Sequence, residues 1–183
     1  MLAALLHIID RLALWRGMLT LFVLWLAVFG AIVLTLTELG DISGGYGILD
    51  FETGYTKDRV LEVFGSYGEQ GMALYHRIQF LDLFNPALYS LITAVLTVLL
   101  WRGRGPDWLP LVALAGGFGD YMENATLFAM TQLYPDLPDG LVSLSSTLSL
   151  VKNGLLVVAM LPLAAGIGLW VWSGFSRFRG AKP

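Results

Sequence analysis

The chain has 183 residues, 56% of them hydrophobic and only 14% charged, with a formal net charge of −3 and a mean hydropathy of +0.69. Soluble domains carry about a quarter charged residues, so the composition is that of an integral membrane protein. With no cysteine there is no disulfide framework, thiolate metal site or cysteine nucleophile, and the few cations give no nucleic-acid surface. No Pro/Gly/Ser linker or charge block divides the chain, and residues 1–183 read as a single transmembrane domain.

Near the N-terminus Leu2, Leu5, Leu6, Ile9, Leu12 and Leu14 recur at near-helical spacing around His7, Asp10 and Arg11. This predicts a short amphipathic helix lying in the membrane interface. The uncharged run 18–37 has the roughly 20 residues that a helix rising ~1.5 Å per residue needs to cross ~30 Å of hydrocarbon. Arg11 and Arg16 precede it as in a signal peptide, but the run exceeds the usual apolar core of about 7 to 15 residues and no A-x-A site follows. It is expected to stay as an anchor. The polar segment 38–75 comes next, in which Gly44-Gly45-Tyr46-Gly47 breaks structure and Thr56-Lys57-Asp58-Arg59 opens a short external amphipathic helix. This segment is expected to cap one mouth of the bundle. Further spans are predicted at 78–101, 108–133 and 141–172, each ending near aromatic residues suited to the headgroup region.

The fold class is therefore all-α, a polytopic four-helix membrane bundle. Arg11, Arg16, Arg102, Arg104, Arg177, Arg179 and Lys182 all fall on one side of the four-span arrangement, which is expected to be cytoplasmic, with both termini inside. The opposite loops are acidic. The location implied is the inner, cytoplasmic membrane. No internal repeat is visible, so the inverted-repeat signature of many secondary transporters is missing.

Three strongly polar residues interrupt the third span. Asp120, Glu123 and Asn124 are spaced i, i+3, i+4 and share a helix face, with Gly116 and Gly117 a turn earlier. Charges at mid-membrane cost about 2.5 to 3.5 kcal/mol each on insertion scales, so they turn inward and find partners. Ser145, Ser149, Lys152 and Asn153 form a second polar stripe on the fourth span. Two such stripes predict an ion pair between Lys152 and Asp120 or Glu123, with one carboxylate in surplus to be protonated, solvated or matched by a ligand. The candidate ligand- or proton-binding residues are thus Asp82, Asp120, Glu123, Asn124, Lys152 and Asn153. His76, Gln79 and Asn85 form a candidate external entrance, and Pro86 is expected to kink the second span. The cytoplasmic half looks apolar throughout, which argues against a permanent water-filled pore. The bland reading of Asn124, Asn153, Ser145 and Ser149 is interhelical hydrogen-bond glue.

In Tyr75–Pro86, Asp120-Tyr121-Met122-Glu123-Asn124, Tyr134-Pro135, and Ser146-Thr147 followed by Lys152, the chain resembles a family of uncharacterised bacterial four-span membrane proteins. That family has an acid before a proline in the second span, an acidic-aromatic-x-Glu-Asn motif in the third and a lysine in the fourth. Asn153 stands where an aromatic would be expected after that lysine. The resemblance implies architecture alone. Asp82 with Pro86 is also similar, at the level of fold, to the sterol-isomerase-like and sigma-2-receptor-like four-helix membrane proteins, where an acid before a proline helps bind an amphiphilic cation; the spacing elsewhere transfers no site.

Three functions compete on these residues. The first is binding or translocation of a small polar or amphiphilic solute, or a proton, at the Asp/Glu/Lys cluster. The second is an accessory subunit of a larger membrane complex, with Gly166 and Gly168 on a docking face. The third is an intramembrane enzyme using Ser149-Leu150-Val151-Lys152 as S-x-x-K on a lipid-like substrate; the acids beside Lys152 oppose the neutral lysine this chemistry needs. The sequence leaves any cofactor unknown, and a hard-metal site from Asp82, Asp120, Glu123 and His76 is conceivable but lacks a convincing paired spacing. The partners expected are the lipid bilayer, a small ligand and, on the second reading, a larger complex.

Overall fold

Every element is helical among the residues described by the computed structural model, which covers residues 2–180, with side chains from residue 4 to residue 173. The elements are α1 (Leu2–Leu12), α2 (Trp15–Ile42), a 3-10 turn (Leu49–Phe51), α3 (Lys57–Leu81), α4 (Asn85–Trp101), α5 (Leu111–Leu133) and α6 (Asp139–Gly180). The side chains of Arg177, Arg179 and Lys182, part of the orientation argument, lie outside the described residues.

The expected amphipathic N-terminal helix is present as α1. It buries Ile9 and half-buries Leu5 and Leu12 in a core shared with α2, α4 and α5, while His7, Asp10 and Arg11 stay exposed. A turn at Gly44 (φ +72) and Gly45 (φ +94) uses the left-handed backbone that favours glycine. Thr56 caps α3 by accepting the Arg59 backbone N–H, as the sequence predicts.

Among the described residues three stretches are long and apolar enough to cross a membrane: Trp15–Ile42, Lys57–Trp101 and Asp139–Ser173, whose best windows have mean hydropathies of 2.6, 1.9 and 2.2. α5 is not among them, in contrast to the four expected. Its 23 residues suffice in length, but Gly116, Gly117, Gly119, Asp120, Glu123, Asn124 and Gln132 dilute its hydropathy. α5 instead packs against both α4 and α6 and buries Gly116, Gly117, Gly119, Asp120 and Glu123 there.

The predicted second span also departs from a single straight rod. At Gly68 (φ 56, ψ −165) α3 breaks into two arms, in a backbone region open essentially to glycine. At 82–84 the helix stops again, and α4 restarts with Pro86 in its first turn. Pro86 has no N–H, and its ring would clash with the carbonyl of Asp82 in a continuous helix.

Two apolar cores result. One joins Ile32, Leu39, Leu49, Phe64, Tyr67, Tyr75, Leu127 and Met130, and the other joins Ile9, Leu21, Ala94, Val95 and Ala113. α5 contributes Ala113 to one core and Leu127 and Met130 to the other, and its polar residues 120–124 fall between them. Glycines bring the helices close at this layer. A Cβ on Gly117 would stand 2.7 Å from Ser90 Oγ on α4, and one on Gly119 would stand 2.9 Å from Leu155 on α6.

Candidate functional site

The i, i+3, i+4 spacing puts Asp120 and Glu123 against α6, where Lys152 meets both. The Lys152 ammonium contacts Glu123 Oε2 and lies 3.7 Å from Asp120 Oδ1. It also donates to the backbone carbonyl of Asp50 at 3.0 Å. Glu123 is fully buried, Lys152 and Asp120 nearly so. The Tyr89 hydroxyl donates to Asp120 Oδ2 at 2.9 Å, whereas Glu123 Oε1 has no hydrogen-bond partner among the described residues. Two carboxylates thus share one ammonium, and the protein leaves one buried oxygen unmatched.

Asn124, a turn further on, leaves this group and serves another. Its amide donates to Asp82 Oδ2 at 2.6 Å, and the Asn85 amide donates to Asp82 Oδ1 at 3.0 Å. Asp82 is held from both sides, in the turn that Pro86 enforces. His76 Nδ1 lies 3.0 Å from Gln79 Oε1, and Gln79 Nε2 is buried without a hydrogen-bond partner among the described residues.

Between α3 and α5 lies a cavity of about 570 Å³, lined by Asp50, Tyr75, His76, Gln79, Asp82 and Asn124 on its polar side. Ile78, Leu127, Phe80, Leu83 and Phe128 supply apolar wall, the last three being largely exposed to the surroundings. Its size is that of sites for drug-sized ligands, about 300–1,000 Å³, and it has their mix of apolar wall and few polar groups. The sequence-predicted residues therefore separate into two adjoining groups. His76, Gln79, Asp82 and Asn124 line the cavity, while Asp120, Glu123 and Lys152 form the buried ion cluster. Asn85 only steadies Asp82. Asn153 donates to the Ser149 carbonyl of its own helix at 2.9 Å and joins neither group.

Sequence reasoning missed the strap formed by residues 49–55. Lys152 takes its Asp50 carbonyl, and Ser149 donates to the Glu52 carbonyl at 2.7 Å. Ser146 Oγ accepts the Tyr55 N–H at 2.9 Å, and the Tyr55 hydroxyl pairs with Ser145 Oγ at 2.7 Å. The polar stripe on α6 is thus largely consumed in holding this strap. Ser149 bonds to backbone while Lys152 is shared among acids, so the serine–lysine pairing of the S-x-x-K reading is not formed. The Asp50 side chain accepts a hydrogen bond from Tyr75 at 3.2 Å. Burial pushes its carboxyl up to about 7, the Lys152 charge opposing and the Asp82 and Glu123 charges reinforcing the shift. Burial also raises the Tyr55 hydroxyl. Among the described residues no group of three or more His, Asp or Glu is arranged to hold a metal ion.

Comparison with protein-family models, with curated proteins and with solved structures finds no match. The resemblance noted in the sequence rests on its motifs alone. The structure defines the class as a helical protein with apolar helices compatible with a membrane, bearing a polar layer between two apolar cores.

Proposed function

We propose that the chain is a four-span protein of the cytoplasmic membrane, with both termini cytoplasmic, that binds a small amphiphilic cation in the cavity between α3 and α5. One observation carries this reading: an apolar-walled cavity whose lining includes Asp50 and Asp82 and neither Lys nor Arg. Low-dielectric walls strengthen attraction between a bound cation and those carboxylates. The exposed Phe80, Leu83 and Phe128 at its edge suit entry of a molecule with an apolar body. The core of Ala94, Val95 and Ala113 offers no polar path onward, so transport would require the helices to rearrange.

Tetraphenylphosphonium and tetraphenylborate, matched in shape and opposite in charge, test the reading on the full chain in lipid nanodiscs. Saturable binding of the cation and none of the anion is expected. Asp82→Asn should weaken it about tenfold, equivalent to ~1.4 kcal/mol, and Ala125→Trp should block it by filling the cavity. Equal, non-saturable partitioning of both ions would overturn the proposal. A stoichiometric protein partner found by native mass spectrometry in that case would favour the accessory-subunit alternative.

A further inference from the structure

Asp50 belongs to both the cavity and the ion cluster. Its side chain lines the cavity and takes the Tyr75 hydroxyl, while its backbone carbonyl takes the Lys152 ammonium. The groups around its carboxyl are Lys152 from α6, Glu123 from α5, Asp82 from the turn after α3, Tyr67, Tyr75 and the cavity-lining His76 from α3, and Glu52 and Tyr55 from its own strap. With Asp120, which also draws on Lys152, three carboxyl groups, those of Asp50, Asp120 and Glu123, gather about one ammonium. Among the described residues three buried polar atoms outside the Lys152 contact lack a hydrogen-bond partner: Glu123 Oε1 in the cluster, Gln79 Nε2 at the cavity and Asn85 Oδ1 beside Asp82.

We infer that a cation entering the cavity displaces a proton from the Asp50 carboxyl, so that ligand and proton exchange at this residue. The inference rests on the cation-binding reading and adds a stoichiometry to it. The exchange balances simply. The Asp50 O–H bond breaks, its electron pair stays on the carboxylate facing the cation, and the proton leaves to water and buffer. Asp50 holds its proton to about pH 7 when the cavity is empty, because desolvation and neighbouring carboxylates disfavour the anion. A cation beside it reverses that preference. Glu123 is not the exchanging group, since it pairs directly with Lys152 and does not line the cavity.

Calorimetric titration of the full chain in nanodiscs with tetraphenylphosphonium tests this, because that cation has no ionisable proton of its own. Heats compared at each pH in two buffers that both titrate there and differ in ionisation enthalpy report protons released by the protein. Release should approach one proton per cation at pH 6, fall to about half at pH 7 and vanish by pH 9, while affinity rises up to about tenfold per unit below pH 7. Asp50→Asn should bind the cation through Asp82 and release nothing. Tyr75→Phe provides a second variant: it removes a donor to the Asp50 carboxylate and should move half-release to higher pH. Saturable binding with identical heats in the two buffers would overturn the exchange and leave the binding site standing. Release that survives Asp50→Asn and disappears in His76→Gln would also overturn it, by assigning the proton to the imidazole. No saturable binding at all would overturn both readings.

Discussion

Lys152 is the ammonium on which the polar layer depends, and removing it exposes how the charges are balanced. In Lys152→Met the fully buried Glu123 and the nearly buried Asp120 lose their counter-ion, which for a broken buried pair costs about 3–5 kcal/mol. Taking away the surplus acid as well should recover part of that loss. We therefore expect the Lys152→Met/Glu123→Gln double variant to melt above Lys152→Met in the same detergent; a double variant as unstable as the sum of its singles would show that the two residues act independently. The cluster was legible in the sequence because Asp120, Glu123 and Lys152 are charges at helical spacing in apolar runs, where only an inward-facing pair avoids lipid. Asp50 was not legible. It reaches Lys152 across 102 positions from an irregular strap, and through a backbone carbonyl that every residue possesses. The hydrogen bonds of the Tyr75 and Tyr89 hydroxyls are not legible for a related reason, since an aromatic at a helix position reads as packing until its hydroxyl is seen to donate.

The elements themselves were legible where apolar periodicity ran unbroken, and less so at their breaks. α2 and α6 follow the expected spans with longer ends, whereas the predicted second span divides at Asp82–Phe84 and extends back through the corner at Gly68. The proline predicted a disturbance there; it could not predict that Asp82 would be held in the turn by amides from α4 and α5. Gly166, expected on a docking face, instead packs within the protein: a Cβ there would lie 2.8 Å from Trp101 Nε1, and that indole donates to the Pro162 carbonyl at 2.8 Å. A paired substitution separates close packing from helix propensity. In Gly117→Ala the new methyl would meet Ser90 Oγ at 2.7 Å and the Pro86 carbonyl at 2.9 Å, forcing α4 and α5 apart at a cost of about 1–3 kcal/mol. Gly154 lies within α6 with open space around its Cβ position, so Gly154→Ala should stabilise by about 0.5–1 kcal/mol. Thermal melts should move in opposite directions, and a shift of the same sign in both would count against the tight α4–α5 contact.

At the scale of the whole molecule, α5 is long enough to span a membrane but too polar to be recognised by composition. Its polarity is explained by its position. Asp120, Glu123 and the glycines face α4 and α6, while Phe118, Met122 and Phe128 are exposed, so its outward side carries large apolar residues even though the average is diluted. On the four-span proposal a helix of this kind would cross the bilayer in company with its neighbours, with Lys152 as the counter-ion shared by its two acids. If it spans, the turn before it, beside Arg102 and Arg104, and the turn after it, beside Asp136, lie on opposite faces of the membrane, with the cationic turn cytoplasmic. The natural absence of cysteine makes the test clean, because a single introduced thiol is the only one present. Asp107 and Asp136 are exposed and flank α5. In intact cells a membrane-impermeant maleimide should modify Asp136→Cys and leave Asp107→Cys unreacted until the cells are opened. Modification of both from outside, or protection of both, would put the two turns on one side. α5 would then be a helix packed within the protein without crossing, and the termini would lie on opposite faces of a three-span molecule.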